Sequence, residues 1–137
     1  MDTLTDPRFT TTVSGYYEAL SAGDRDAWLA LFADDAISHD PVGTPPASGR
    51  RALAEIWNVM TSPFDKLTAT IDSIFHADTG AAVKWTAEGK SPRGGKAAFE
   101  GISVFEFTEE GLIQTVMAYW DPAAMLIGLA DSEETAG

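Results

Sequence analysis

The hydrophobic pattern changes its period near the middle of the chain, and this change limits the folds that the chain can adopt. Up to Met60, apolar side chains recur every three or four residues, which is typical of helices with one buried face. From Leu67 onward, β-branched and aromatic residues predominate and alternate with polar ones, which is typical of strands with one buried face. Helices followed by consecutive strands predict an α+β domain, with a helical layer against a sheet.

Three helices are predicted in the first half. Val13, Tyr16, Tyr17 and Leu20 define the buried face of the first. The segment 34–49 contains three prolines and is predicted to be irregular. The predicted helices are one that ends at the Ala22-Gly23 pair, one from about Asp24 to Ala33, and one from about Gly49 to Met60.

The second half predicts four strands joined by short connections, with antiparallel neighbours as the simplest topology. The run 91–96 reads as a hairpin turn, and Glu109-Glu110-Gly111 reads as a tight turn. A helical layer on a strongly curved antiparallel sheet gives a cone-shaped barrel with an open end, as in a cystatin-like α+β roll. We expect a single domain over residues 1–130 and a disordered acidic tail over 131–137.

Charge and composition exclude several classes of partner. The 21 acidic and 9 basic residues give a formal net charge of -12, which repels nucleic acid and anionic membrane surfaces. No cysteine is present, so disulfides and thiolate metal sites are excluded. No apolar run approaches the roughly 20 residues of a membrane helix. The polar start of the sequence does not resemble a secretory signal, so we expect a cytoplasmic protein.

Asp40 is the first candidate for chemistry. It lies in an apolar tract with Ile37 and Val42 nearby, and Pro41 favours an extended conformation for it. A carboxylate held against apolar walls loses hydration, which raises its pKa and makes it a stronger base. The alternative interpretation is a surface aspartate in a turn. His39 and Asp40 should point to opposite sides of an extended stretch, so the pair does not indicate a dyad.

Tyr16 is the second candidate, because it lies on the apolar face of the first helix. A buried tyrosine can donate a hydrogen bond to a carbonyl oxygen that gains negative charge. The alternative is a core tyrosine bonded to a backbone carbonyl. His39 and His76 lack metal-ligand spacing, so no metal site is predicted. The sequence also has no nucleophile elbow and no glycine-rich phosphate loop.

Several short motifs together resemble bacterial ketosteroid isomerase, within the wider nuclear-transport-factor-like superfamily. The resemblance extends from about Tyr16 to Trp120. Its motifs are Tyr16, AGD at 22–24, LFADDA at 31–36, DPVG at 40–43, the proline pair at 45–46, SGR at 48–50 and IQTVMAYW at 113–120.

The resemblance implies a mechanism. In that family an aspartate moves a proton of a Δ5-3-ketosteroid from C4 to C6, while a tyrosine and a protonated aspartate bind the dienolate oxygen. Asp40 matches the base and Tyr16 the oxyanion donor. Ser103 replaces the second aspartate, and losing one such donor typically costs about 10²- to 10³-fold in rate. Phe32 and Trp57 replace supporting tyrosines. We expect the substrate pocket to be lined by Phe32, Trp57, Trp85, Phe99, Phe105 and Trp120.

The resemblance therefore predicts an isomerase that needs no cofactor and acts on a small hydrophobic steroid or polyketide-like ketone. Two alternatives remain open: a SnoaL-like polyketide or polyether cyclase, and a non-catalytic protein that binds hydrophobic ligands. Limonene-type epoxide hydrolysis uses an Asp-Arg-Asp set, which the inward positions lack. The family usually dimerises through the outer face of the sheet, so we also expect a homodimer.

Overall fold

A computed structural model describes residues 7–136, with side chains described through Glu133. It contains four helices and six strands. The helices are α1 (Pro7–Ala22), α2 (Arg25–Leu29), α3 (Arg50–Thr61) and α4 (Pro122–Ala136). The strands are β1 (Phe32–His39), β2 (Ala47–Ser48), β3 (Lys66–Ala77), β4 (Gly80–Lys90), β5 (Lys96–Phe107) and β6 (Ile113–Tyr119).

The predicted α+β class is confirmed, with one curved sheet in the order β2-β1-β6-β5-β4-β3. The four long strands β3 to β6 pair antiparallel with their chain neighbours, as predicted. Two details differ from the expected antiparallel barrel. Strand β1 pairs parallel with β6, because the chain leaves β1 and returns beside it only after the other long strands. The sheet also stays open, with β2 and β3 at its two edges.

Strand β1 was not predicted, because the acidic pair and the prolines around it suggested an irregular segment. Its second half nevertheless alternates: Ala36 and Ser38 are buried, while Ile37 is exposed. A register shift between Phe32 and Ile37 accommodates the acidic pair. The helix expected over 24–33 is accordingly shorter and ends at Leu29.

Helix α4 was also not predicted. Pro122 begins it, and the Asp121 carboxylate accepts a hydrogen bond from the Ala123 amide at 3.0 Å. Met125 and Leu129, one turn apart, are buried against Ala97 of β5. The apolar residues of this helix are not confined to one face, since Leu126 and Ile127 are exposed, so its position depends on a contact with β5 that the sequence alone does not locate.

The expected disordered tail differs from the structure, because residues 131–136 continue α4. Two side chains of the tail hold it to the β4–β5 hairpin. The Ser132 hydroxyl donates to the Lys96 carbonyl at 2.8 Å, and Ser91 donates to the Glu133 carboxylate at 3.1 Å. These bonds supply the ordering energy that an acidic segment alone lacks. The last residue of the predicted tail, Gly137, lies outside the described residues.

The core lies between α1 and the inner face of the sheet. The apolar face predicted for α1 is confirmed, with Val13, Tyr16, Tyr17 and Leu20 all buried. The C-terminal end of α1 is tied to β3, because the Ser21 hydroxyl bonds both the amide and the carbonyl of Ala69. The attachment lies beside the cavity, because Leu20 and Ala69 both line it.

Candidate active site

The open end of the cone leads into a narrow apolar cavity of about 50 Å³. Its wall is formed by α1, α3, α4 and the inner face of the sheet. The lining residues are Tyr16, Tyr17, Leu20, Asp40, Met60, Leu67, Ala69, Trp85, Ala87, Phe99, Ser103, Ala118, Trp120 and Met125. A mostly apolar cavity with a few convergent polar groups is the usual form of a small-molecule site.

Asp40 follows directly after β1 and continues the inward alternation of Ala36 and Ser38. The residue is partly exposed at the mouth of the cavity, but its carboxylate is surrounded by protein. Burial therefore raises the pKa of Asp40 above its usual value. His39 lies on the other face of the strand, opposite Met117 of β6. The structure thus favours the pocket carboxylate over the surface-turn interpretation.

Trp120 fixes the orientation of this carboxylate. Its indole nitrogen donates a hydrogen bond of 2.7 Å to Asp40 Oδ1. This bond stabilises the ionised form and lowers the pKa, which offsets part of the effect of burial. One carboxylate oxygen is therefore engaged in this bond, so the other is left for a ligand.

Tyr16 lies in the wall that α1 contributes to the same cavity. Its ring packs against Trp28, Phe32 and Phe105 at centroid distances of 5.6, 6.2 and 5.1 Å. Burial, followed by the nearby charge of Asp40, raises the pKa of Tyr16 well above its usual value. The hydroxyl therefore keeps its proton at neutral pH and can only act as a hydrogen-bond donor or acceptor there.

Ser103 and Trp85 form the second polar contact in the wall. Ser103 is 2% exposed, on the inner face of β5 as predicted. The Trp85 indole nitrogen donates to Ser103 Oγ at 3.0 Å. Gly101 leaves room for this indole, because a Cβ there would lie 2.7 Å from Trp85 Cζ2. The indole is only a donor, so the proton of Ser103 remains available for another group.

Six of the nine predicted site residues lie together in the cavity wall: Tyr16, Asp40, Trp85, Phe99, Ser103 and Trp120. The other three do not line it, which corrects their expected role in ligand contact. Phe32 and Phe105 support the Tyr16 ring from behind, and Trp57 packs against Trp28 at 5.4 Å. Their bulk fills the space beneath the tyrosine, so they belong to the core.

Sequence reasoning missed several members of the wall. Tyr17 was assigned to the buried face of the first helix but was not predicted as a site residue. Its position next to Tyr16 places it on the same side of α1. Met125 could not be predicted as a site residue because α4 itself was not predicted. The remaining missed residues are small or aliphatic and carry no separate signal: Leu20, Met60, Leu67, Ala69, Ala87 and Ala118.

A larger open groove continues from the cavity to the surface between α3 and α4. Asp40, Met60, Trp120 and Met125 line both spaces. The groove's rim is apolar, with Val59 and Leu126 largely exposed, so a ligand longer than the inner cavity has an apolar path outward.

The side chains that the structure describes include no group of three or more histidine or acidic residues that could bind a metal ion. Within residues 7–136, no helix has the length and apolarity to cross a membrane.

Two relatives of known activity resemble the chain. It is 29% identical over 117 residues to a steroid Δ-isomerase of Nocardioides simplex, covering 84% of this chain and 91% of the relative. It is 31% identical over 136 residues to the epoxide hydrolase LasB of Streptomyces lasalocidi. That match covers 88% of this chain and 42% of LasB, so the chain corresponds to less than half of the larger enzyme.

A solved structure extends the likeness to three dimensions. The crystal structure of a Δ5-3-ketosteroid isomerase from Mycobacterium sp. superposes with a TM-score of 0.76 and 28% identity. The match covers 86% of this chain and 96% of that protein. The relatives are thus an isomerase and an epoxide hydrolase, and the ketosteroid isomerase structure shares this cone-shaped fold.

The sequence profile of one family spans most of α1, all of α2 and α3, and most of the sheet. It matches residues 13–116, a range that includes Tyr16, Asp40 and Ser103. With the open cone, the inward carboxylate and the two similar enzymes, this match identifies the family: the chain belongs to the SnoaL-like domain family.

Proposed function

We propose that this protein is a ketosteroid-isomerase-like enzyme that moves a proton within a hydrophobic ketone without a cofactor. Asp40 is the general base, and the Tyr16 hydroxyl is a hydrogen-bond donor to the ketone oxygen. The substrate class is a Δ5-3-ketosteroid or a similar polycyclic ketone. The similarity to the steroid Δ-isomerase and to the ketosteroid isomerase structure supports this choice.

The proposed reaction balances within the substrate and Asp40. The Asp40 carboxylate removes a proton from the carbon between the carbonyl and the double bond. The electron pair of that C–H bond delocalises onto the ketone oxygen, which becomes a dienolate oxyanion. The protonated Asp40 then returns the proton to the far carbon of the dienolate, so the carbonyl re-forms and the double bond becomes conjugated with it.

The observation that carries this proposal is the carboxylate of Asp40 in an apolar cavity. Among the lining residues, it is the one acidic side chain. Desolvation makes it a stronger base than a surface aspartate, while the Trp120 bond orients it and favours its ionised form. A carbon acid needs such a base, because the proton next to a ketone is only weakly acidic.

The direct test is to mix the purified protein with 5-androstene-3,17-dione and to follow the ultraviolet absorbance of the conjugated enone. We expect a rate well above that of buffer at the same pH. Quenching of tryptophan fluorescence by the steroid without any rate would contradict the isomerase and leave a hydrophobic-ligand-binding protein.

Replacement of Trp120 by phenylalanine should move the acidic limb of the pH–rate profile upward. Activity requires ionised Asp40, so it is lost as pH falls through the raised pKa of this residue. The Trp120 hydrogen bond lowers that pKa. Such a bond to a charged group is worth about 1.5–3 kcal/mol, which corresponds to about one to two pH units. Measurement of kcat/KM from pH 4 to 8 checks this.

The control for that shift is Tyr119→Phe, which changes the preceding residue on the outer face of the sheet. We expect its profile to match that of the unaltered protein. An unchanged limb in Trp120→Phe, with an effect on KM alone, would show that Trp120 serves only as a wall of the pocket.

A cyclase acting on epoxides is the second candidate, and the similarity to LasB favours it. Asp40 would then deprotonate the attacking hydroxyl, and Tyr16 would protonate the oxygen that leaves as the epoxide opens. Leu67 and Ala69 are the β3 residues that line the cavity, and the lining contains no second carboxylate beside Asp40. Ring opening therefore depends on a tyrosine of raised pKa as its acid, which favours the isomerase. Turnover of an epoxy alcohol but not of the ketosteroid would make the cyclase the first candidate and the isomerase the second.

We also propose that two copies associate through the outer face of the sheet. Phe75, Ile102 and Tyr119 project from that face and are 72, 47 and 48% exposed. Ile102 and Tyr119 lie opposite each other on β5 and β6, so they form a continuous apolar patch. Light scattering is expected to give twice the chain mass, and Ile102→Asp should give the single-chain mass. A single-chain mass for the unaltered protein would contradict the dimer.

A further inference from the structure

The Tyr17 hydroxyl has no hydrogen-bond partner among the described residues, although it is buried. Tyr17 lines the cavity next to Tyr16. Its ring is held edge-on against Tyr16 at 5.0 Å and against Phe105 at 6.4 Å. A buried hydroxyl without a partner is costly, so such a group in a cavity wall indicates a partner supplied by a ligand.

The surroundings of Tyr17 show which part of the cavity its hydroxyl faces. Burial raises the pKa of Tyr17, nearby Ser103 lowers it, and the charge of Asp40 raises it. The hydroxyl therefore lies close enough to Ser103 for hydrogen bonding to lower its pKa, although the pair does not have the distance and angle of a formed hydrogen bond. It keeps its proton at neutral pH and is available as a donor.

Ser103 is held in place by Trp85, not by Tyr17. The Trp85 indole donates to Ser103 Oγ at 3.0 Å, while the Trp120 indole donates to Asp40 at 2.7 Å. The two tryptophans thus fix two different parts of the site. One orients the base, and the other orients the hydroxyl next to Tyr17. Ser103 can then direct its free proton towards the Tyr17 oxygen.

We propose that the Tyr17 hydroxyl is a second hydrogen-bond donor to the same ligand oxygen that Tyr16 binds, with Ser103 and Trp85 as its positioning residues. This inference rests on the proposed function for the identity of the oxygen, a ketone that becomes an oxyanion. Tyr17 then supplies the second hydrogen bond to this oxygen, because the shorter side chain of Ser103 on β5 supplies it poorly. The two donors come from adjacent residues of α1, whose rings contact each other edge-on at a centroid distance of 5.0 Å.

The test uses binding, which does not depend on turnover. The probes are 2-naphthol, a flat aromatic with one oxygen, and naphthalene, which has the same rings without it. Both are titrated by fluorescence in the Asp40→Asn background, where no carboxylate charge opposes a phenolate. We expect Tyr17→Phe to weaken 2-naphthol binding about 10-fold and to leave naphthalene binding unchanged.

The matched control is Ser14→Ala, which removes a hydroxyl from the exposed side of the same helix and should change neither affinity. Tyr17→Phe removes an unpartnered group, so it should unfold at the same or a higher temperature. Equal affinity of Tyr17→Phe for 2-naphthol, or an equal loss for both probes, would overturn the donor role. Failure of the Asp40→Asn protein to bind 2-naphthol would also overturn it.

Turnover separates this inference from the proposed function. If the ketosteroid is isomerised, Tyr17→Phe should lower kcat about 10-fold with little change in KM. Isomerisation with an unaffected Tyr17→Phe would overturn the donor role and leave the isomerase standing. Selective loss of 2-naphthol affinity without any isomerisation would support the donor and reject the isomerase.

The positioning role has its own readout in a double-mutant cycle. Ser103→Ala should weaken 2-naphthol binding less than Tyr17→Phe does. In Tyr17→Phe, where the oriented hydroxyl is gone, Ser103→Ala should have no further effect. Additive losses would show that Ser103 acts on the ligand independently, which would overturn its role through Tyr17.

Discussion

Replacement of Asp40 by asparagine is expected to slow isomerisation of a Δ5-3-ketosteroid by about 10³- to 10⁴-fold while preserving the fold. The range is what a positioned general base typically contributes. Asparagine keeps an oxygen that can accept the 2.7 Å bond from Trp120, so the cavity wall should stay in place. The amide cannot take a proton from carbon at neutral pH. Steady-state kinetics at saturating substrate and high enzyme concentration would measure the residual rate.

The same substitution should stabilise the protein at neutral pH. The pKa of Asp40 is raised in the folded state, so folding favours the protonated form. That favourable contribution is fully present below the unfolded-state pKa of about 4 and is lost as pH rises through the folded-state value. At pH 7 the ionised carboxylate therefore destabilises the folded protein, and asparagine removes this effect. A gain of about 1 kcal/mol would raise the melting temperature by roughly 3–6 °C.

The stability gain should fade as the pH approaches 4, and thermal unfolding at several pH values would reveal this. Asp35→Asn is the matched control, since Asp35 lies on the same strand but is exposed and bonded to Gln114. It should change neither turnover nor the pH dependence of unfolding. Undiminished isomerisation by Asp40→Asn would reject Asp40 as the base.

The sequence predicted the parts of this fold that depend on local periodicity. The apolar faces of α1 and α3, the long strands and the two hairpin turns all follow from side-chain spacing and turn residues. Gly111 shows the tight turn directly, with φ of +88° and its amide bonded to the Thr108 carbonyl at 3.0 Å. The elements that were missed depend on distant contacts instead. Strand β1 is specified by its pairing with β6, and α4 by the burial of Met125 and Leu129.

The candidate site shows the same division. Asp40 and Tyr16 were found because a short motif and a helix face point to them. Alternation predicted the inward direction of Ser103, and the structure agrees. Phe32, Trp57 and Phe105 were assigned to the pocket because aromatic residues serve cores and pockets equally well, and only packing separates the two uses. Tyr17 could be recognised only after its hydroxyl proved to have no partner.

The aromatic cluster beneath Tyr16 determines how its hydroxyl can function. Trp28, Phe32 and Phe105 pack against the ring, and Tyr16 also lines the cavity. The Trp28 indole nitrogen is buried without a hydrogen-bond partner among the described residues. Packing of the ring therefore holds Tyr16 in place, and Trp28 lies close enough to its hydroxyl to lower its pKa slightly against the effect of burial. A sterically held hydroxyl is already oriented before the oxyanion forms, which is the condition under which such donors are most effective.

Tyr16→Phe should therefore lower kcat by about 10²- to 10³-fold, the usual cost of one oxyanion donor. Phenylalanine keeps the ring that packs on Phe105 at 5.1 Å, so the change removes only the hydroxyl. The bond strengthens as negative charge develops on the ketone oxygen. For this reason the effect should fall on kcat, with KM nearly constant. The loss should exceed that of Tyr17→Phe, and a kcat equal to that of the unaltered protein would reject Tyr16 as a donor.

The pH dependence of this loss distinguishes a hydrogen-bond donor from a group that exchanges protons with solvent. Burial raises the pKa of Tyr16 well above its usual value of 10.0, so the hydroxyl stays protonated across the working range. The ratio of the kcat values of the unaltered protein and Tyr16→Phe should consequently be constant from pH 5 to 9. The acidic limb belongs to Asp40 and should remain in both proteins. A ratio that changes with pH below 9 would mean that Tyr16 titrates during turnover, and its role would then be that of an acid or base.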